Sequence, residues 1–396
     1  MRLKIHIILS VFFCLLFFSC QQKKKEGAQT VSYRYSLQET GQTLSYENDK
    51  PMKYGISSVF PFTDKNGRKY LTFREYDQNE IQIYEMYTGN HYKTVNIAME
   101  GPNGIGHLAG YYIKNFDEIY LNNAMLPFIA RSDTSGHIFQ KISFEKSDEG
   151  LVLVPIFTTG IFYTPLVIIK DTFYVAQGTS MPGKEPDTWP VSCYIDTTHK
   201  RVKTLPLCFP PILKANELRK VGLGLELVYS RCFDGFRFVY SFYFEEAITV
   251  ASPDHLDVQK IPAKSKYINR LNPREKRPDD MFLGAKRECE APFYGNLIHD
   301  PYRNVYYRVA YPETEMEELD GRAYIDIFIT GRKRFSIIVL DKDFNIIGET
   351  LFPDYKYCST SMFVEKEGLY IRNNHFKSPD FDEDKLMFTC LKLIKE

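Results

Sequence analysis

The sequence predicts an all-β chain folded as a β-propeller of six four-stranded blades, and three observations lead there. Short runs rich in Tyr, Phe, Ile and Val recur along nearly the whole chain, separated by clusters of Gly, Asp, Asn and Pro. The runs come in groups of four, and the groups repeat. Long helical periodicity is missing; the best helical candidate is a turn or two around residues 212–220. The 28 Tyr and 30 Phe, against one Trp, reinforce the reading, because flat side chains pack well on a pleated surface.

Taken in order, the first unit runs from 56–60 through Asp64-Lys-Asn-Gly67 to 70–73, then 81–84, the turn Thr88-Gly89, and 92–97. The second comprises 111–114, 119–121, 128–131, the turn Asp133-Thr-Ser-Gly136, and 138–144. Further units span about 161–207, 225–262, 296–350 and 362–395. The last is one strand short, and residues 31–37 form a spare strand of the right length. That strand is expected to complete the last blade and close the ring. Residues 150–207 have room for an extra strand pair, which would make seven blades. The competing architecture is a pair of β-sandwiches.

The N-terminus reads as a leader. Arg2 and Lys4 precede an apolar run over 5–18, and Ser19-Cys20 is followed by Gln21-Gln22-Lys23-Lys24-Lys25. A basic tip, a short apolar stretch and a small residue describe a secretory signal, and the run is too short to span a bilayer. The expected organisation is a signal peptide over 1–19, a tether over 20–30 beginning at Cys20, and a propeller domain over 31–396. The 50 basic and 50 acidic residues cancel, so no overall field draws the protein to nucleic acid. Cys193, Cys208, Cys232, Cys289, Cys358 and Cys390 show no disulfide-framework spacing. A hairpin turning at Thr197-Thr198 would put Cys193 opposite about Val202, well short of Cys208. These thiols are expected to be mostly free and buried.

Phe17-Phe18-Ser19-Cys20 resembles the loose lipobox of bacterial lipoproteins, which implies a lipid on Cys20 as the membrane anchor. With Asn79-Glu-Ile-Gln-Ile-Tyr84, Glu100-Gly-Pro-Asn-Gly-Ile-Gly106 and Asp117-Glu-Ile-Tyr120, the chain is similar to lipoproteins of Bacteroidota that carry a six-bladed propeller of the NHL or TolB-like kind. Within that group it resembles a family of unknown function. The resemblance implies architecture over essentially the whole mature chain and no established activity. Surface export in that group is linked to an acidic run after the lipidated cysteine. The lysines here favour an outer-membrane anchor facing the periplasm.

Strand order decides which loops share a face of a propeller. Connections between second and third strands, and from blade to blade, open on one rim; the remaining turns open on the other. The first group is long here, and long loops on a rigid scaffold commonly carry function. It supplies the candidate ligand-binding residues Arg74, Glu75, His107, Asn122, Asn123, Glu245, Arg287, Tyr307, Arg308, Arg372 and His375. The basic stretch from Lys264 to Arg287, offset by acidic neighbours, reads as a solvated loop or as contact with an acidic partner, glycan or headgroup. Residues 101–106 lack the Lys-Ser/Thr of a phosphate loop and read as a tight connection.

No metal is expected. The histidines are dispersed, no Cys-x-x-Cys occurs, and Asp341-Lys-Asp343-Phe-Asn345 fails as a calcium loop because Ile346 replaces the Gly. No cofactor is expected, and nucleophile motifs are absent. The expected function is a binding or scaffolding module for a protein or glycan partner. The alternative is an envelope hydrolase or lyase with its site in the channel mouth.

Overall fold

A computed structural model describes residues 30–47, 56–75, 78–123, 126–156, 163–178, 185–221 and 224–396. The signal segment 1–19, Cys20 and the tether up to residue 29 lie outside the described residues. Three groups of four strands form antiparallel sheets whose spatial order follows the chain, a fourth sheet has five strands, and the last two groups share one eight-stranded sheet. The first blade is Ile56–Thr63, Lys69–Glu75, Glu80–Glu85 and His91–Asn96. The second is Leu108–Asn115, Glu118–Asn123, Phe128–Ser132 and Ile138–Ser143. In the third, Pro155–Ile156 and Val167–Ile169 both pair with Thr172–Gln177, followed by Ser192–Asp196 and Arg201–Thr204. Because the two short segments share one partner strand, 150–207 is one unit and supplies no extra blade.

The fourth blade is Tyr229–Phe233, Phe238–Phe242, Ala247–Ala251 and Val258–Pro262. The fifth is Phe293–Asp300, Val305–Tyr311, Ser336–Leu340 and Ile346–Leu351. The sixth takes Cys358–Val364, Leu369–Arg372 and Lys385–Lys395 from the C-terminus and Val31–Glu47 from the N-terminus. The N-terminal strand pairs antiparallel with Lys385–Lys395, from Tyr35 opposite Lys395 to Glu47 opposite Lys385. The expected closure is therefore present. The same strand also runs parallel to Ile346–Leu351, which joins the fifth and sixth blades into one eight-stranded sheet.

Packing follows from burial on both faces of the inner strands. Ser336–Leu340 is buried at every position, whereas the outermost strand Val258–Pro262 is mostly exposed. Apolar clusters fill every junction around the ring. Between the sixth and first blades, Tyr370, Leu386 and Phe388 meet Ile56, Leu71 and Phe73. Tyr70, Ile81 and Ile83 meet Tyr111, Ile119 and Leu121 at the next junction, and Tyr120 meets Phe173 and Val175 at the one after. The ring continues with Ala176 against Tyr240, Val239 against Ile338, and Ile337 against Ile371. Each such buried side chain contributes about 1.5–3 kcal/mol relative to exposure.

Among the described residues three α-helices interrupt the pattern: α1 (Ala215–Val221), α2 (Met281–Glu290) and α3 (Gly321–Thr330). Only the first was anticipated. The other two are ten residues each, too short for periodicity to show, but both carry an N-cap signal. Asp280 accepts from the backbone N–H of Phe282 and Leu283, and Asp320 accepts from Arg322. They pack together through Cys289, Met316, Tyr324 and Ile327.

The six cysteines are free, five of them buried. Cys193 stands opposite Thr204 rather than Val202, because the turn holds four residues, 197–200, with Lys200 in the left-handed region at φ 52°. Asp341 forms a hairpin turn, accepting from the N–H of Asp343 and Asn345.

Candidate functional site at the long-loop rim

All three helices belong to connections that open on one rim. α1 lies between the third and fourth blades, α2 between the fourth and fifth, and α3 between the second and third strands of the fifth. The other rim carries tight turns such as residues 64–67, where Asp64 accepts from the N–H of Asn66 and Arg68.

Toward the long-loop end, the innermost strands of four blades bulge. The pairing register shifts between Ser57 and Phe60, Leu108 and Gly110, Tyr294 and Leu297, and Cys358 and Met362. Bulges re-aim side chains and gather beside functional sites. Ser58, within the first bulge, is buried with φ 58°, an uncommon conformation for a residue with a Cβ.

The last residues of the second strands stand next to these bulges and bridge the blades. Tyr243, following the fourth blade's second strand, donates to Asn296 Oδ1 in the fifth blade's bulge at 3.0 Å. Tyr311, ending the fifth blade's second strand, bonds Ser359 Oγ in the sixth blade's bulge at 2.9 Å. Asn296 also accepts from the backbone N–H of Tyr163 at 3.1 Å, and the Tyr163 ring lies 6.3 Å from that of Phe60. Tyr163 thus touches the first and fifth blades and, through its carbonyl, Ser230 of the fourth.

Arg74, Asn122 and Arg372 occupy the corresponding second-strand ends, so strand order alone brought these candidates to one rim. Arg74 is buried opposite Ser57, with Nη1 3.3 Å from the Gln78 carbonyl. Asn122 is buried and donates to the Asn123 carbonyl at 3.0 Å. Arg372 ends its strand opposite Cys358, is 2 % exposed, and has Nε and Nη1 without a hydrogen-bond partner among the described residues. Its charge is felt nearby. Burial pushes the Cys358 thiol up to about 11 against the pull of the Arg372 cation.

The other candidates have structural work within the fold. Asn123 donates to the Ile105 carbonyl at 2.5 Å and accepts from Leu126 N–H at 2.8 Å, holding two connections together. Asn79 does the same for residues 97–108, so the glycine-rich segment 101–106 is the tight connection expected. His107, beside it, is exposed. Glu245 pairs with Lys260 at 2.6 Å. Glu75 ends a strand opposite Ile56, but its side chain lies outside what is described.

Two candidates stand elsewhere than expected. Tyr307 sits nearer the short-turn end, where its hydroxyl donates to Asp300 Oδ2 at 3.0 Å. Arg308 is mid-strand and wholly buried rather than at the rim. Its guanidinium donates to Ser241 Oγ and to the carbonyls of Glu245, Glu246 and Ala263 at 2.6–3.0 Å, over the Tyr294 ring. Burial lowers this guanidinium to about 10, so it stays charged at neutral pH. His375 is also buried, between the Gly331 carbonyl at 2.9 Å and Lys377 N–H at 3.0 Å. Gly331 ends α3 at φ 151°, and a Cβ there would collide with Ser359 N, so only glycine lets this helix meet the sixth blade's bulge.

The basic stretch becomes a strut rather than a free loop. Arg274 reaches Glu288 at 2.6 Å and Glu226 at 4.0 Å, and Arg287 reaches Glu288 at 3.5 Å and the Asn272 carbonyl at 3.0 Å. Glu226 and Glu288 are buried, and burial together with the Glu226 charge raises the Glu288 carboxyl. An open groove of about 440 Å³ lies above, lined by Arg274, Lys276, Asp279 and Arg287 among others. Tyr243, Tyr311, Asn296 and Ser359 were not singled out as site residues by sequence; Tyr243 and Tyr311 open the long-rim connections 243–246 and 311–332, and Asn296 and Ser359 carried no signal. Among the described residues no three His, Cys, Asp or Glu side chains converge to hold a metal.

Residues 34–351 match the model of a domain of unknown function, DUF4221. The chain belongs to this family. A crystal structure of a DUF4221 member from Bacteroides vulgatus is 26 % identical, covers 92 % of this chain and 100 % of its own, and superposes with a TM-score of 0.78. A supposed exported protein of Bacteroides fragilis shares the fold at 8 % identity, with 91 % and 96 % coverage and a TM-score of 0.51. No curated protein matches the chain in sequence. The DUF4221 assignment agrees with the resemblance to a Bacteroidota propeller family of unknown function.

Proposed function

We propose that this DUF4221 protein is a lipid-anchored module of the cell envelope that binds a polar partner, protein or glycan, at its long-loop rim. The observation that supports it most is the asymmetry of the two ends. One rim gathers three helices, four inner-strand bulges and the buried polar side chains Arg74, Asn122 and Arg372. The other is made of short turns. Loops set on a rigid scaffold suit recognition, and the supposed export of the Bacteroides fragilis protein that shares the fold is in keeping with the leader expected from the sequence. Anchoring through Cys20 in the outer membrane, facing the periplasm, is part of the same proposal.

The hydrolase or lyase alternative has less support. Glu245 is held by Lys260, and His255 and His375 are both buried, which pushes each down to about 4. Two measurements test the proposal. Labelled palmitate should enter the wild-type protein and be absent from Cys20→Ser, which should leave the membrane fraction. Binding of the mature protein to arrayed envelope glycans and peptides should be abolished by replacing residues 101–107 and unaffected by altering the 64–67 turn. The reverse pattern would sink the rim assignment.

A further inference from the structure

We infer that the junction between the sixth and first blades takes an anionic group of the ligand, a carboxylate, sulfate or phosphate, and that Arg372 is the residue meeting it. This deepens the rim-binding reading and rests on it. The argument starts from the repeat. At the fourth-to-fifth junction, a residue at the second strand's end bonds the next blade's bulge, Tyr243 to Asn296. At the fifth-to-sixth junction Tyr311 bonds Ser359 in the same way.

Arg372 is the equivalent residue at the sixth-to-first junction. Side chains alternate along a strand, so Arg372 shares the face of Tyr370, which packs with Ile56 and Leu71 of the first blade. The first blade's bulge lies just beyond Ile56 on the same strand, at Ser57 to Phe60. Here the bridge is missing. Arg372 is 2 % exposed, yet Nε and Nη1 have no partner among the described residues. Leaving a buried charged donor unsatisfied costs more than the 1–3 kcal/mol or so of a neutral group.

Among the described residues, the two groups nearest in charge do not supply the acceptor. Cys358 donates its thiol to the Asn374 carbonyl, and both nitrogens of the His375 ring are engaged. Arg74, at the following junction, adds a second buried guanidinium to the same rim. Two neighbouring junctions ending in arginine favour an anion, and arginine is the residue suited to carboxylate, sulfate or phosphate oxygens.

The test uses the full-length mature lipoprotein in detergent. Thermal unfolding is followed at constant ionic strength during titration with glucuronate, sulfate and inorganic phosphate, with glucose as the neutral control. The inference predicts a saturable rise in Tm with at least one anion and none with glucose. The anion that acts distinguishes carboxylate from sulfate and phosphate ligands. Arg372→Gln should weaken the apparent affinity at least about tenfold, and Arg334→Gln, at an exposed ion pair, should leave it unchanged. The Arg372 Nε–H signal in nitrogen-15 NMR should shift on titration of the wild-type protein, whether or not the variant folds. Equal stabilisation of wild type and Arg372→Gln, or no effect of any anion, would overturn the inference. The rim reading would still stand if a neutral ligand bound there, and would fall only if binding mapped to the short-turn end.

Discussion

Two buried arginines in neighbouring parts of the ring make opposite use of the same chemistry. Arg308, at the fourth-to-fifth junction, is fully buried and donates to a hydroxyl and three carbonyls while stacking on Tyr294. Arg372, at the sixth-to-first junction, is as deeply placed but has Nε and Nη1 unpartnered. The first is a fastener between blades. The second is a donor held ready at the rim. A buried guanidinium is therefore not evidence of function by itself; its surroundings decide.

The largest expected effect breaks the fastener. Arg308→Met leaves the carbonyls of Glu245, Glu246 and Ala263 without that donor, at about 1–3 kcal/mol for each group left unsatisfied. Chemical denaturation should show a loss of about 3–5 kcal/mol. If the loss were under about 1 kcal/mol, the bonds to Arg308 would contribute little.

Next comes pH. Burial holds the His375 ring down at about 4, well below the usual 6.5. Between those values the unfolded chain binds more protons than the native one, so stability is full above about pH 6.5 and falls as the pH drops toward 4. The window is worth about 3 kcal/mol, and the pH slope of denaturation should be shallower in His375→Gln. An unchanged slope would mean that the ring between Gly331 and Lys377 is not held neutral.

Smaller still is Tyr243→Phe, which removes the bridge to Asn296 for about 1 kcal/mol. Smallest is Arg372→Met, which breaks no described hydrogen bond and should change stability in ligand-free buffer by less than about 0.5 kcal/mol, or raise it. A loss as large as that of Arg308→Met would erase the distinction between the two junctions.

Much of the architecture was legible because strands announce themselves locally. Alternating aromatic and β-branched runs placed the blades, and the surplus strand at 31–37 foretold closure. The registers within the ring were less so. Cys193 missed its expected partner because a four-residue turn and a two-residue turn look alike in sequence. α2 and α3 hid because ten residues give under three helical turns. For the site, strand order gathered Arg74, Asn122 and Arg372 on one rim, but it could not separate Arg308 from Arg372. That distinction depends on contacts made across neighbouring blades, such as Arg308 to Ser241, 67 positions away. Local pattern carries no information about such pairs.

The most direct measurement is a crystal structure of the mature protein grown with the stabilising anion. The account predicts an anionic oxygen within hydrogen-bond reach of the Arg372 guanidinium, beside the bulge between Ser57 and Phe60, with Tyr243 to Asn296 and Tyr311 to Ser359 intact. A structure in which Arg372 is paired with a carboxylate of this chain, and the anion binds elsewhere or nowhere, would contradict it.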